Sequence, residues 1–146
     1  MRVEKSVEIK APPEKIWPLL IEPKKVLEWY IPLRRFEYTG KQKGGEGAPL
    51  YFEEKVVGQL MKLNCVVTEC VENKSFAFKM TSGSMMKSYE ERWTLEKTPS
   101  GSKFTFVEQG ELPYGFFGKL IEPIAERMSG LTLNKMLAEL NSMAAG

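Results

Sequence analysis

Two glutamates on consecutive predicted strands, Glu91 and Glu108, are the residues of this sequence best suited to chemistry. If the chain reverses at the turn formed by residues 98–101, Trp93 pairs with Phe106 and Glu91 lies directly opposite Glu108. Two facing carboxylates in a half-buried site repel each other, so they need a cation, or one of them must hold a proton with a raised pKa. This pairing depends on the register, because a shift of one residue turns both side chains to the other face.

Three further polar residues are predicted to join the two glutamates at one end of the sheet. Tyr89 and Lys87 share the face of Glu91 by alternation, and Lys5 interrupts the apolar face of the first strand. Such a cluster can orient a ligand's hydroxyl, carbonyl or amine, act as an acid/base pair, or be a solvated ion-pair network at the open end of the sheet. These three interpretations stay open, and the candidate catalytic residues are Glu91, Glu108 and Tyr89.

The absence of histidine excludes several classes of site. A chain without histidine cannot build a Ser-His-Asp or Cys-His catalytic set, or a zinc, iron or haem site with histidine ligands. Acid-base chemistry must therefore use Glu, Asp, Lys, Tyr or Cys. The 21 basic and 19 acidic residues leave a net charge of +2, which gives no electrostatic case for a nucleic acid or a membrane surface as partner. We predict no metal and no cofactor.

Length and hydropathy predict a single domain over residues 1–146. A chain of 146 residues buries one good core, and no linker separates two compositions. No apolar run approaches the ~18 residues of a membrane span, and no signal-peptide core is present. We therefore expect a cytoplasmic protein without stable membrane insertion, as a monomer or a weak homodimer.

The order of predicted elements is a strand, two short helices, about six more strands and a long final helix. Val3, Val7 and Ile9 alternate with polar residues in the first strand, and the two short helices end at about Trp29. Short turns rich in Gly, Ser, Asn and Pro separate the later strands and demand an antiparallel meander. These later strands are predicted at residues 34–40, 50–57, 59–71, 75–81, 85–97 and 103–111.

This order favours an α+β fold in which a curved antiparallel sheet of about seven strands (β-α-α-β6-α) wraps around the long C-terminal helix. A sheet curved around a helix seldom closes tightly along its full length. An internal cavity between the sheet and the helix is therefore expected.

The apolar stripe of the final helix, predicted from Tyr114 to about residue 144, changes sector after Gly130. Beyond that residue the apolar positions are Leu133, Met136, Leu137 and Leu140. Either the helix bends around a curved sheet, which we favour, or its C-terminal half contacts something that the first half does not touch. The second alternative motivates a protein-interaction module.

The first 29 residues resemble the opening of START-like, or Bet v 1-like, helix-grip proteins (the SRPBCC superfamily). The resemblance rests on the run VEIKAPPEKIW from Val7 to Trp17, followed by Trp29 after a short helix. It is greatest for the branch called polyketide cyclase/dehydrase and lipid transport. Downstream, the similarity is one of layout: a glycine-rich break at 44–47, Trp93 before a hairpin, and a long C-terminal helix.

The resemblance implies the helix-grip fold and a hydrophobic cavity that accepts an apolar or amphipathic small molecule. The superfamily shares no catalytic motif, so it assigns no catalytic residue, and the fold does not select the function.

Eight methionines in one small domain suit an adaptable lining. The loop Gly40–Gly47 is interpreted as a lid over the cavity mouth or as an ordinary flexible hairpin.

The predicted function is binding of a hydrophobic or amphipathic small molecule, as a carrier or sensor more than as an enzyme. The alternatives are a polyketide cyclase/dehydratase-like enzyme that uses the cavity carboxylates, and the protein-interaction module. The candidate ligand contacts are aromatic and methionine side chains, apolar residues of the long helix and the polar residues of the last hairpin. They are Phe36, Tyr38, Phe52, Phe76, Phe78, Met80, Tyr89, Glu91, Trp93, Phe104, Phe106, Glu108, Phe117, Ile121, Ile124 and Met128. The alternative for each aromatic or methionine side chain is ordinary packing in the core.

Overall fold

The strands and helices follow one another in the predicted order. The structure is a computed structural model that describes the backbone of residues 1–146 and the side chains of residues 1–115 and 118–146. The elements are β1 (Arg2–Ile9), α1 (Pro13–Ile21), α2 (Pro23–Trp29), β2 (Leu33–Tyr38), β3 (Pro49–Val56), β4 (Gln59–Val71), β5 (Ser75–Gly83), β6 (Ser88–Thr98), β7 (Gly101–Glu111) and α3 (Phe116–Ala145).

The two short helices begin where proline fixes the backbone. Pro13 and Pro23 occupy the first helical positions, where the missing N–H has no intrahelical partner to lose. Glu22 separates the two helices in an extended conformation, as expected for a residue that precedes proline. The indole Nε1 of Trp29 donates a hydrogen bond of 2.7 Å to the Leu19 carbonyl oxygen and fixes α2 against α1.

All seven described strands form one antiparallel sheet in the order β1-β7-β6-β5-β4-β3-β2, which curves around α3 in the predicted α+β architecture. Strand β1 pairs at the edge with β7, from Arg2 opposite Gln109 to Ile9 opposite Ser102. Every other pairing joins strands that are consecutive in sequence. The β1–β7 pairing therefore brings the first strand and the last strand of the chain together.

The predicted register of the last hairpin is confirmed. Trp93 pairs with Phe106, and Glu91 pairs with Glu108. The register is set by a tight turn, because Thr98 pairs with Gly101 and leaves two residues between the strands.

Aromatic side chains fill the middle of the sheet's concave face. The ring centroid of Trp93 lies 5.1 Å from that of Trp29, 5.4 Å from that of Phe76 and 5.7 Å from that of Phe78. Trp29 and Phe78 meet Trp93 edge-to-face, and contacts of this kind add stability beyond the burial of area. Trp29 of helix α2 packs on this part of the sheet, and Trp93 is fully buried.

The two halves of α3 lie in different environments. Leu133, Met136, Leu137 and Leu140 are buried within the chain, where α3 contacts β1, α1 and α2. These four residues therefore pack on the protein itself, and they give no motivation for a protein-interaction module. By contrast, large apolar side chains of the first half, and Leu131 directly after it, are exposed. Those of the first half are Leu120, Ile121, Ile124 and Met128.

None of the helices, over the residues that the structure describes, is long and apolar enough to cross a membrane.

Candidate functional site

A cavity of about 330 Å³ lies between the sheet and the first half of α3. Most of the side chains that line it are apolar. On the sheet side they include Met61, Met86 and Phe106, and on the helix side they include Ile124 and Met128. Because the helix side chains at this point are partly exposed, the cavity opens to solvent beside α3.

One end of the cavity is polar. Tyr30 reaches it from the residue after α2, Glu54 from β3, Tyr89 from β6, Glu108 from β7 and Ser129 from α3. Five separate elements thus place hydroxyl and carboxyl groups at one point of an otherwise apolar space. We call Tyr30, Glu54, Tyr89, Glu91 and Glu108 the carboxyl cluster.

Glu91 lies behind the cavity wall and accepts hydrogen bonds from three side chains. Its Oε2 accepts from the Tyr30 hydroxyl at 2.6 Å and from the Tyr89 hydroxyl at 2.5 Å. Its Oε1 accepts from the Trp93 indole Nε1 at 3.0 Å. Glu91 is 2% exposed, so these donors replace the water that its carboxyl group has lost.

The Tyr89 hydroxyl joins the two facing glutamates. It lies 2.5 Å from Oε2 of Glu91 and 2.7 Å from Oε2 of Glu108. A hydroxyl group carries one hydrogen and donates to one of these oxygens at a time. The other contact needs a hydrogen from a carboxyl group, so the arrangement fits a pair of glutamates that shares a proton.

Burial is the main reason that the cluster holds protons. It raises the pKa of Glu91 well above its ordinary value, and the charges of Glu108 and Glu54 raise it further. Burial also raises the pKa of Glu108, while hydrogen bonds from Tyr89 and Ser129 oppose the change. The pKa of Glu54 rises to about 8, first through burial and then through the charge of Glu108. The cavity therefore presents one carboxyl group, that of Glu54, which exchanges its proton near neutral pH.

The two tyrosines of the cluster stay protonated. Burial, together with the neighbouring glutamates, raises the pKa of both Tyr30 and Tyr89 well above the ordinary value. Their hydroxyl groups are therefore hydrogen donors over the whole physiological range.

The two lysines predicted for this cluster lie elsewhere. Lys87 is exposed, and its Nζ lies 3.7 Å from Oε2 of Glu111. Lys87 precedes the first residue of β6, Ser88, so alternation along the strand does not fix the direction of its side chain. Lys5 is half-buried under α3, where its Cε would lie 3.6 Å from a Cβ at Gly130, and it does not line the cavity.

The interpretation as a solvated ion-pair network is wrong. Glu91 and Glu108 are 2% and 7% exposed, and neither forms an ion pair among the described residues. The buried cluster therefore has either a functional role or a purely structural role.

The predicted ligand contacts divide into two groups along the sheet. Six of them line the cavity: Tyr89, Phe106, Glu108, Ile121, Ile124 and Met128. Nine others pack in the core and do not line it, seven of them buried (Phe36, Phe52, Phe76, Phe78, Glu91, Trp93 and Phe104) and two half-buried (Tyr38 and Met80). Phe117 lies outside the residues whose side chains the structure describes.

This division has a simple physical reason. Alternation assigns a side chain to a face of the sheet, but it does not say where along the strand the helices leave space. Helix α2 covers the aromatic core, whereas the first half of α3 covers the cavity less closely. Ligand contact by any of these side chains stays a prediction.

Two residues of the cluster were not predicted. Glu54 follows Leu50 and Phe52 on the buried face of β3, so the alternation that placed Glu91 also signals Glu54. Tyr30 carries no such signal, because it follows the last residue of α2 and belongs to no periodic element.

The loop Gly40–Gly47 does not cover this cavity. No residue of the loop belongs to the described lining. The Gly47 N–H donates a 2.8 Å hydrogen bond to the Val67 carbonyl oxygen, and the Gln42 side chain donates to the carbonyl oxygens of Gly44 and Glu46. These bonds fold the loop against β4.

Comparison with known proteins identifies one family. The sequence profile described as polyketide cyclase/dehydrase and lipid transport matches residues 1–142. No curated protein matches the chain.

Many solved structures share the fold. A protein of Thermus thermophilus superposes with a TM-score of 0.83 at 16% identity, over 99% of this chain and 97% of that chain. A START superfamily protein from Mycobacterium smegmatis has a TM-score of 0.79 at 17% identity, over 98% and 96%. An aromatase/cyclase from Streptomyces sp. R1128 has a TM-score of 0.74 at 15% identity, over 96% and 93%. At these identities the likeness concerns the fold.

Proposed function

The chain belongs to the polyketide cyclase/dehydrase and lipid transport family, and we propose that it binds one amphipathic small molecule in the cavity beside α3, as a carrier or sensor. The observation that supports this function best is the composition of the cavity. An apolar space of about 330 Å³ ends at the carboxyl cluster, and small-molecule sites commonly combine apolar walls with a few polar groups that fix orientation.

The exposed apolar side chains of α3 support the same proposal. Ile121, Ile124 and Met128 line the cavity and are also 47–63% exposed. An apolar ligand that covers these exposed side chains removes their apolar surface from water, which favours binding. The first half of α3 is thus the side of the cavity at which a ligand replaces water.

A substitution that fills the cavity tests this function. We expect Ala125→Trp to weaken binding of the neutral fluorescent probe N-phenylnaphthylamine by about tenfold or more, because Ala125 lines the cavity and the indole occupies the ligand's space. The measurement is a fluorescence titration of the probe. Native mass spectrometry of the purified protein, followed by solvent extraction, identifies any molecule that it already carries.

Lys135→Trp is the matched control, because Lys135 is exposed on the same helix and does not line the cavity. Both variants should keep the thermal unfolding temperature of the wild type within a few degrees. Equal affinity of the wild type and Ala125→Trp for the probe contradicts binding at this site.

A second candidate function is cyclase or dehydratase-like catalysis. It is favoured by Glu54, whose carboxyl group lines the cavity with a pKa of about 8 and which can therefore donate and accept a proton near neutral pH. Glu108, on the opposite wall, would serve as its acid/base partner.

The molecule bound in Glu108→Gln distinguishes the two functions. If the protein is a dehydratase, the variant is expected to retain an unconverted molecule that is heavier by one water than the molecule extracted from the wild type. A carrier retains the same molecule in both proteins, with only a modest change in affinity. Identical extracted masses from wild type and variant therefore count against catalysis.

A further inference from the structure

We propose that the ligand's polar group is a cation, so that the protein selects an amphipathic amine and discriminates against amphipathic carboxylates. This inference rests on the proposed function and specifies its ligand class. It follows from which groups face the polar end of the cavity.

The carboxyl groups at the polar end form no ion pair with any residue that the structure describes. Glu54 and Glu108 line that end directly. Two cationic groups belong to the described lining. Lys55 has an exposed side chain, and the Met1 ammonium group is engaged by the Gly110 carbonyl oxygen at 2.9 Å and by Glu122 at 3.3 Å. Lys5 under α3 does not line the cavity. No charged group within the described residues of the cluster balances the carboxyl groups, in contrast to the exposed ion pair between Lys87 and Glu111.

The neutral groups around the cluster do not replace a cation. Hydroxyl and indole donors from Tyr30, Tyr89 and Trp93 contact Glu91. The hydroxyl groups of Tyr89 and Ser129 reach Glu108, and all of these donors are neutral. The thiol of Cys65 on β4 is also nearby, and burial raises its pKa to about 12, so it stays neutral. A ligand ammonium group placed between Glu54 and Glu108 would supply both the charge and the hydrogen donors.

A carboxylate head group would meet the opposite conditions. It would bring a buried negative charge that no cation of the described cluster balances, and any carboxyl group of the cluster that ionises would repel it. An ammonium group instead forms charge-assisted hydrogen bonds with carboxylate oxygens. The tail makes the same apolar contacts in either case, so the head group decides the preference.

Binding of an ammonium ion should release a proton. Before binding, the cluster holds protons on its carboxyl groups, since burial disfavours their charged forms. When R–NH3⁺ enters, one carboxyl group becomes a carboxylate, its proton passes to the buffer, and the amine keeps its three hydrogens. The observed heat of binding should therefore vary with the ionisation enthalpy of the buffer.

The experiment uses three probes with one tail: decylamine, decanol and decanoate. Each displaces N-phenylnaphthylamine from the purified protein at about pH 7. We expect the dissociation constant of decylamine to be at least about tenfold lower than that of decanoate. Glu54→Gln and Glu108→Gln should each reduce that ratio, whereas Glu90→Gln, on the exposed face of β6, should leave it unchanged.

The outcomes separate this inference from the proposed function. If decanol displaces the probe and decanoate binds at least as tightly as decylamine, the amine preference is overturned and small-molecule binding stands. A heat of decylamine binding that is the same in phosphate and Tris buffers also overturns it. If the protein binds neither the fluorescent probe nor any of the three, the proposed function fails together with the inference.

Discussion

The fold is expected to lose stability as the pH rises from about 5 to about 8, the opposite of the acid unfolding common in proteins. The reason is that the pKa of Glu54 rises from its ordinary 4.5 to about 8 in the folded chain, and burial also raises the pKa of Glu91 and Glu108. Between the two pKa values of Glu54, the folded state holds a proton that the unfolded state has released.

The sign follows from proton linkage. Stability changes with pH in proportion to the protons bound by the unfolded state minus those bound by the folded state, and here this difference is negative. Each carboxyl group of this kind contributes a fall of roughly 1.4 kcal/mol per pH unit between its ordinary and its raised pKa. The stabilising contribution of protonated Glu54 is fully present below pH 4.5 and is lost as the pH rises to about 8.

Chemical denaturation at a series of pH values measures this slope. Glu54→Gln should make it shallower, because the amide has no proton to lose. Glu90→Gln removes an exposed carboxyl group on the outer face of β6 and should leave the slope as it is. A stability that rises steadily across this pH range would mean that the cluster is ionised in the folded protein.

The second large effect is expected at Glu91. Glu91→Leu should be about 2–4 kcal/mol less stable than Glu91→Gln, because leucine leaves buried donors without an acceptor. The Trp93 indole N–H and the Tyr30 hydroxyl both donate to Glu91. Glutamine keeps a carbonyl oxygen for them and removes only the carboxyl group.

Comparing these variants at two pH values separates hydrogen bonding from charge. At about pH 4 the wild type and Glu91→Gln should have similar unfolding free energies, since this pH lies below the ordinary pKa of the carboxyl group and burial raises that pKa further in the folded state. At about pH 8 Glu91→Gln should be the more stable of the two, while Glu91→Leu stays less stable than Glu91→Gln at both values. If leucine and glutamine at this position unfold at the same denaturant concentration, the hydrogen bonds to Glu91 contribute nothing measurable.

The register behind the Glu91–Glu108 contact could be predicted because it is a local property. A four-residue turn sets the pairing of β6 with β7, and alternation then decides which face each side chain occupies. Periodicity alone predicts a curved sheet with a long helix. The family resemblance identifies this arrangement as the helix-grip fold.

The remainder of the site depends on long-range geometry. Tyr30 meets Glu91 across 61 positions of the chain, and no local pattern encodes such a contact. Likewise, the separation of the aromatic core from the cavity depends on how closely α2 and α3 approach the sheet. The same alternation placed Phe76 and Phe106 on one face, yet only Phe106 lines the cavity.

The pairing of β1 with β7 has a consequence for synthesis. Ile9 pairs with Ser102, so the first strand has no partner until β7 has left the ribosome. At about 5–20 residues per second, those intervening residues take roughly 5–20 s to translate. During that time the apolar Val3, Val7 and Ile9 depend on the charges interleaved with them, Glu4 and Glu8, to keep the nascent chain from pairing with another.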